Sequence, residues 1–177
     1  DLSRIAMFDH MPRQKVLVSG STGLIGMQLC AFLAAAGHEI TRLVRPTTKL
    51  PPDASNDAVI VWDDVKGVIL EGDLNGFDTV IHLAGAGIGD KRWNKQRKEL
   101  IETSRTIPTK NLATLLAGLH QPPKAFLSGS AIGFYGNRGD EELTESSEGG
   151  DNFLAGTVRR WEESAQPAAD AGIRTAW

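Results

Sequence analysis

Of 177 residues, one is a cysteine, Cys30, and one a tyrosine, Tyr135. A lone cysteine cannot build a disulfide framework, so the chain reads as a protein of a reducing compartment and a cytoplasmic localisation is expected. Cys30 itself, inside a helical apolar pattern, reads as a small buried hydrophobe. No uninterrupted apolar stretch is long enough to cross a bilayer, and the opening "DLSRIAMFDHMPRQK" lacks the apolar core of a signal peptide, so no membrane partner is expected. Positive charge is scarce as well: 19 Lys and Arg stand against 22 Asp and Glu, a net charge of -3. The one basic cluster, "KRWNKQRK" at 91–98, is too short to make a field for phosphate backbones, and no nucleic-acid partner is expected. Repeats and low-complexity tracts are missing, and no metal-ligand spacing emerges. His10, His38 and His120 stand at loop or helix-end positions without a carboxylate in motif spacing, and "DEELTESSE" (140–148) reads as a solvated loop. What remains, 41% hydrophobic and 23% charged, is the composition of one soluble globular domain with a sizeable core.

Within that composition, "VLVSGSTGLIGMQL" (16–29) places glycines at 20, 23 and 26 between an apolar run and a helical pattern. "KVLVSG" (15–20) reads as a buried strand; Leu24, Ile25, Leu29, Phe32, Leu33 and Ala36 then recur at helical spacing until Gly37, a natural C′ residue. Further strands are expected at 39–45, 58–62, 78–85 and 124–130, with "PPDASND" looping between the second and third. A long helix is expected from about Lys91 to Leu119, either continuous or broken near Pro108, another over 151–171, and a sixth strand beginning in "GIRTAW". Strands alternating with helices imply a doubly wound parallel sheet, the three-layer α/β Rossmann fold. Residues 1–13 fit no unit and read as a linker or N-terminal extension; 14–177 read as one NAD(P)-binding domain.

On that fold the glycines acquire separate roles. Gly20 allows the tight turn off the strand, Gly23 lets backbone approach a phosphate pair, and Gly26 lets the helix pack closely on the sheet. The helix N-terminus adds unpaired N–H groups, and Ser21, Thr22, Leu24 and Ile25 complete a cradle for a pyrophosphate. The spacing is G-x-x-G-x-x-G, not G-x-G-x-x-G, and no Gly-Lys-Ser/Thr follows, which disfavours a P-loop NTPase. At the end of the second strand, where an NAD site places Asp or Glu for the ribose hydroxyls, stands Arg45, suited to grip a 2′-phosphate. NADP is therefore expected over NAD, with Lys49 and Arg42 as helpers; the alternative is that Arg45 is a solvated loop residue.

"SGSTGLIG", "VIHLAGAGIGDKRW", "SRT", "SGSAIGFYG" and "FLAGTVRRWEESA" resemble the short-chain dehydrogenase/reductase superfamily, specifically its atypical, SulA-related branch of sugar-nucleotide epimerase-like proteins, over about residues 14–177. The resemblance implies a nicotinamide dinucleotide cofactor and a small-molecule substrate of the nucleotide-sugar type. It assigns Gly20, Gly23 and Gly26 to the phosphate loop, Leu83, Ala84 and Gly85 to the turn lining the adenine-ribose side, and Ser128 and Ser130 to the strand end near the nicotinamide. Family members carry a substrate-binding lobe after the sixth strand, so the portion here is expected to be truncated at its C-terminal end.

Superfamily enzymes move a proton with a Ser or Thr and a Tyr-x-x-x-Lys pair while hydride moves to or from nicotinamide. The matching stretch here, "DNFLAGTVRRWEE", has Phe153 or Leu154 in the tyrosine's place and Thr157 or Val158 in the lysine's, and none of these transfers a proton in that way. Tyr135, in "GFYG", is the candidate replacement, acting with Ser130; the alternative is a loop aromatic packing on cofactor or core. Ser130 is expected to face the cofactor cleft and Tyr135 to border it. His82 reads as a core or near-cofactor residue, Trp93 and Trp161 as packing residues, and the family pattern places Arg92, Ser104 and Arg105 near substrate or cofactor. Two function classes follow: an NADP-dependent oxidoreductase or epimerase with a non-standard proton donor, or a cofactor-binding sensor without turnover. The helices at 91–119 and 151–171 are expected to pair across a homodimer interface.

Overall fold

The structure, a computed structural model, describes residues 12–54 and 57–177; most of the expected N-terminal extension, and His10 with it, lies outside the described residues. In chain order the elements are β1 (Lys15–Ser19), α1 (Leu24–Ala35), β2 (Glu39–Val44), β3 (Ala58–Asp63), β4 (Val68–Glu71), β5 (Thr79–His82), α2 (Lys95–Ala117), β6 (Ala125–Ser128), α3 (Phe153–Glu163), α4 (Gln166–Asp170) and β7 (Arg174–Ala176). One sheet holds all seven strands in the order β4-β3-β2-β1-β5-β6-β7. Every neighbouring pair is parallel except β3 and β4. The strand order reverses beside β1, so the β1–β5 junction is where an open α/β sheet offers a crevice to ligands.

Sequence reading anticipated six strands and missed β4. Asp63 makes the connection: its carboxylate accepts the N–H groups of Val65 and Lys66, and Gly67, at φ 67°, returns the chain as an antiparallel edge strand. Helix α2 runs unbroken through the buried Pro108, losing only the ladder bond to the Ser104 carbonyl, while Ile101, Leu112 and Leu116 bury their side chains on either side. It starts four residues later than expected because the Asn94 side chain accepts the Arg97 N–H at 2.8 Å and caps it. The helix expected over 151–171 divides into α3, capped by Asn152, and α4, which restarts with Pro167 in its first turn.

The two sheet faces are covered unequally. Leu17, Leu43, Trp62, Val80 and Phe126 meet Leu112, Leu116, Ala165 and Ala168 on the face carrying α2 and α4. On the other face Val16, Val18 and Ile81 meet Cys30, Leu29 and Leu33 of α1. Helix α1 is apolar almost all round, and its outward side chains stay in the open, Leu24 81% and Ile25 68% exposed.

Candidate functional site

The carboxyl ends of β1, β2, β3 and β5 enclose a cleft of about 450 Å³. Its floor is the turn from Gly20 to Gly23. Gly20 sits at φ 71°, and a Cβ there would lie 2.6 Å from the Leu83 carbonyl carbon, so only glycine lets the turn close against the exit of β5. A Cβ on Gly26 would fall 2.2 Å from the Gly20 carbonyl oxygen, so this glycine seats α1 directly on the turn. Gly23 precedes the helix in extended conformation with no capping side chain, and the first ladder bond runs from Met27 N–H to the Gly23 carbonyl. The N–H groups of Leu24, Ile25 and Gly26 are therefore left without an intrahelical acceptor. Beside them Ser21 is 1% exposed and its Oγ has no hydrogen-bond partner among the described residues. Uncapped amides, an orphaned hydroxyl and a helix dipole free of acidic residues in the first turn fit the oxygens of a pyrophosphate.

Arg45 and Thr48 line the cleft at the end of β2, and Trp62 and Asp64 at the end of β3. The Arg45 guanidinium stands 4.0 Å from the Asp64 carboxylate, 63% exposed. Arg42, expected as a helper, is committed elsewhere: it is 5% exposed, donates from Nε to Asp57 at 2.6 Å and from a terminal nitrogen to the Ser21 carbonyl at 2.9 Å. It fixes the glycine turn from beneath and does not reach for a ligand. Lys49, the other expected helper, is not among the lining residues.

Leu83, Ala84, Gly85 and Ala86 form the opposite wall, with Leu100 and Ser104 of α2. Ser104 Oγ accepts the Ala86 N–H at 3.1 Å, Arg105 donates to the Ala86 carbonyl at 3.0 Å, and Arg97 donates to the Gly87 carbonyl. Arg105 also lies over the Trp161 ring at 5.3 Å, and its burial, with Arg97 nearby, holds its pKa below the usual value. Beneath the same strand ends, His82 is fully buried; Nδ1 lies 2.6 Å from Ser19 Oγ, Nε2 has no partner among the described residues, and burial pushes its pKa down to about 4. At ordinary pH this imidazole is neutral.

Ser128, expected near the nicotinamide, ends β6, and the expected proton pair, Ser130 and Tyr135, follows it in the chain. Ser128, level with His82 in the sheet, is 5% exposed. Ser130 is exposed and its hydroxyl donates to the Glu162 carboxylate at 2.5 Å. The Tyr135 hydroxyl donates to the Thr144 carbonyl at 3.0 Å. None of the three is among the lining residues. Leu24 and Ile25 offer their backbone toward the turn while their side chains face outward beside Gln28, Leu29 and Phe32. Phe153 makes an edge contact with Trp93 at 5.7 Å, and the Lys98 ammonium lies 5.2 Å over its ring. Sequence reading missed Asp64, Thr48 and Trp62 as lining residues; each lies at or just beyond a parallel strand's carboxyl end, the one signal that points to them. Among the described residues no group of three or more His, Cys, Asp or Glu is placed to hold a metal ion, and no helix is long and apolar enough to cross a membrane.

Known proteins are similar to this chain in sequence and fold. An epimerase family protein of Mycobacterium leprae is 33% identical over 159 residues, 90% of this chain and 49% of the relative. A nucleoside-diphosphate sugar epimerase from Corynebacterium glutamicum superposes with a TM-score of 0.75 at 40% identity, over 98% of this chain and 35% of that one. The human epimerase family protein SDR39U1, solved with NADPH, superposes at 0.71 with 34% identity, over 85% of this chain and 48% of that one. This chain thus spans about half the length of the curated relatives it matches. The profile of the NAD dependent epimerase/dehydratase family covers residues 16–153, from the start of β1 through the glycine turn and both cleft walls to the start of α3, and the chain belongs to that family.

Proposed function

We propose that the protein is an NADP-dependent epimerase or oxidoreductase acting on a small polar substrate of the nucleotide-sugar class, in the cytoplasm. The observation that carries this reading is the cleft itself: uncapped amides and the orphaned Ser21 hydroxyl at its floor, with Arg45 at the end of β2. A bound nicotinamide supplies a hydride acceptor or donor. The chain's own residues divide the remaining work. The amides of residues 24–26 and Ser21 hold the pyrophosphate, Arg45 grips the 2′-phosphate, and Leu83–Ala86 close the far wall. Ser130 and Tyr135 are the candidate proton pair; Glu162 orients the Ser130 hydroxyl, and Tyr135 must release the Thr144 carbonyl before it can reach a substrate oxygen. That same engagement of Tyr135, with Phe153 or Leu154 in the place of a proton-transferring tyrosine, favours a second reading, a cofactor-binding sensor without turnover. A homodimer through α2 and α3 belongs to the proposal; where these helices meet, Glu102, Thr106, Lys110, Arg160 and Glu163 line an outer groove.

Titration of the full chain with NADPH and NADH tests the cofactor reading. NADPH is expected to bind more tightly, and Arg45→Ala to lower that preference about tenfold to a hundredfold, the equivalent of a lost charge-assisted contact of about 1.5–3 kcal/mol. Equal Kd values for the two nucleotides, or a preference indifferent to Arg45, would refute it. Turnover across a panel of nucleotide sugars separates enzyme from sensor.

A further inference from the structure

We propose that cofactor choice is set by Arg45 and Asp64 together: Asp64 holds the preference for a 2′-phosphate in check and accepts a hydrogen bond from the 2′-hydroxyl of an unphosphorylated nucleotide. The inference rests on the cleft being a dinucleotide site and changes what that site selects. Among the described residues that line the cleft, Arg45 is the one cation and Asp64 the one anion. Two neighbouring charges, Arg42 and Asp63, are spent. Arg42 is paired with Asp57 and the Ser21 carbonyl, and Asp63 with Lys66 at 3.5 Å and its own turn amides. The wall facing the nucleotide's ribose is thus neutral overall, with its two charges 4.0 Å apart.

Asp64 is the better anchored of the pair. Asn111 of α2 donates to the carbonyls of Asp64 and Val65 at 2.8 and 2.9 Å, which fixes the backbone that carries the carboxylate, and the side chain is 19% exposed. The Arg45 backbone is held by its own turn, the N–H donating to Thr48 Oγ1 and the carbonyl accepting the Thr48 N–H, but its guanidinium is 63% exposed. A 2′-phosphate, carrying nearly two negative charges, gains from Arg45 and is repelled by the carboxylate beside it. A 2′-hydroxyl is not repelled and is a donor that the carboxylate can accept. The acidic group that an NAD site carries at the end of its second strand is supplied here from the end of the third.

The test is the ratio of Kd values for NADPH and NADH, measured on the full chain for wild type, Asp64→Asn, Arg45→Ala and the double variant. Asp64→Asn keeps the shape and removes the charge. It is expected to raise the preference for NADPH about three- to tenfold, by tighter NADPH and weaker NADH, and the gain is expected to shrink in high salt. The double variant is expected to keep part of that gain, because the carboxylate's repulsion of the phosphate and its bond to the 2′-hydroxyl do not pass through Arg45, and to lose the part that comes from freeing the Arg45 guanidinium from its pair. A ratio unchanged within twofold in Asp64→Asn overturns the proposal; if Arg45→Ala still lowers the ratio, the NADP reading stands without it. A wild-type chain that binds neither nucleotide overturns both.

Discussion

Acidification should destabilise this protein through one side chain. His82 is wholly buried between the rings of Trp62 and Phe126, each centroid 6.4 Å from its own, with Ser19 as its hydrogen-bond partner and, among the described residues, no carboxylate paired with it. Burial lowers its pKa from 6.5 to about 4. The folded protein therefore keeps the imidazole neutral where the unfolded chain takes up a proton. Stability is fully present above pH 6.5, is lost as the pH falls from there towards 4, and loses nothing more from this group below that, where both states are protonated. At 1.36 kcal/mol per pH unit the loss at pH 4 amounts to about 3 kcal/mol, a large part of the 5–15 kcal/mol that holds a typical domain together. Urea unfolding at a series of pH values, for wild type and His82→Gln, isolates the effect, because every other titrating group cancels in the difference. The wild type should lose about 3 kcal/mol more than the variant between pH 7 and 4. The ring protons of His82, followed by NMR, should stay unshifted until close to pH 4. Parallel stability curves, or a ring titrating near 6.5, would refute the reasoning.

Two further outcomes follow from the site. Gly26→Ala places a methyl 2.2 Å from the Gly20 carbonyl oxygen and 2.8 Å from Ser21 Cα, both backbone atoms. The roughly 1 kcal/mol of helix propensity it gains is outweighed by displacement of the glycine turn, so NADPH affinity should fall at least tenfold and the urea midpoint should drop; an unchanged affinity sinks this account of the turn. Tyr135→Phe should lower kcat about a hundredfold while leaving NADPH affinity unchanged if this hydroxyl moves the proton, and undiminished turnover would remove it from that role.

What could be read from the sequence was what the chain settles locally. The glycine turn is one such case, since strand, turn and helix lie within 21 consecutive residues and Gly23 and Gly26 answer to Gly20 close by in the chain. The cleft walls are not local. Arg42 reads from the sequence as a helper to Arg45, yet its partner Asp57 arrives from the next strand's approach, and the pair lies across two chain segments. Asp64 comes to Arg45 only because β3 lies next to β2 in the sheet. Ser104 and Arg105 reach Ala86 from α2, and Ser130 meets Glu162 across 32 residues. Strand β4 escaped notice for a different reason: four residues with Glu71 at the end, exposed or half-buried throughout, show too little alternation to stand out from a turn.

The two walls of the cleft differ in how they are held, and this decides where the site can adapt. The wall at Leu83–Ala86 is tied to α2 by Ser104 and Arg105, and Arg105 is stacked on Trp161. Trp161 in turn donates to Thr109 at 3.0 Å and packs so closely on Gly129 that a Cβ there would lie 2.8 Å from its ring. A shift of this wall would therefore disturb the contact between α2, α3 and the end of β6, which close packing resists. At the other wall the Arg45 backbone is held by a turn closed on Thr48, and its side chain is exposed to solvent. On the proposed reading of the cleft, accommodation of different ribose substituents would fall to Arg45 and Asp64, which lie outside the packed core. Changes at those two positions are then expected to act on nucleotide affinity, whereas a change that loosens Arg105 is expected to reach the fold through Trp161.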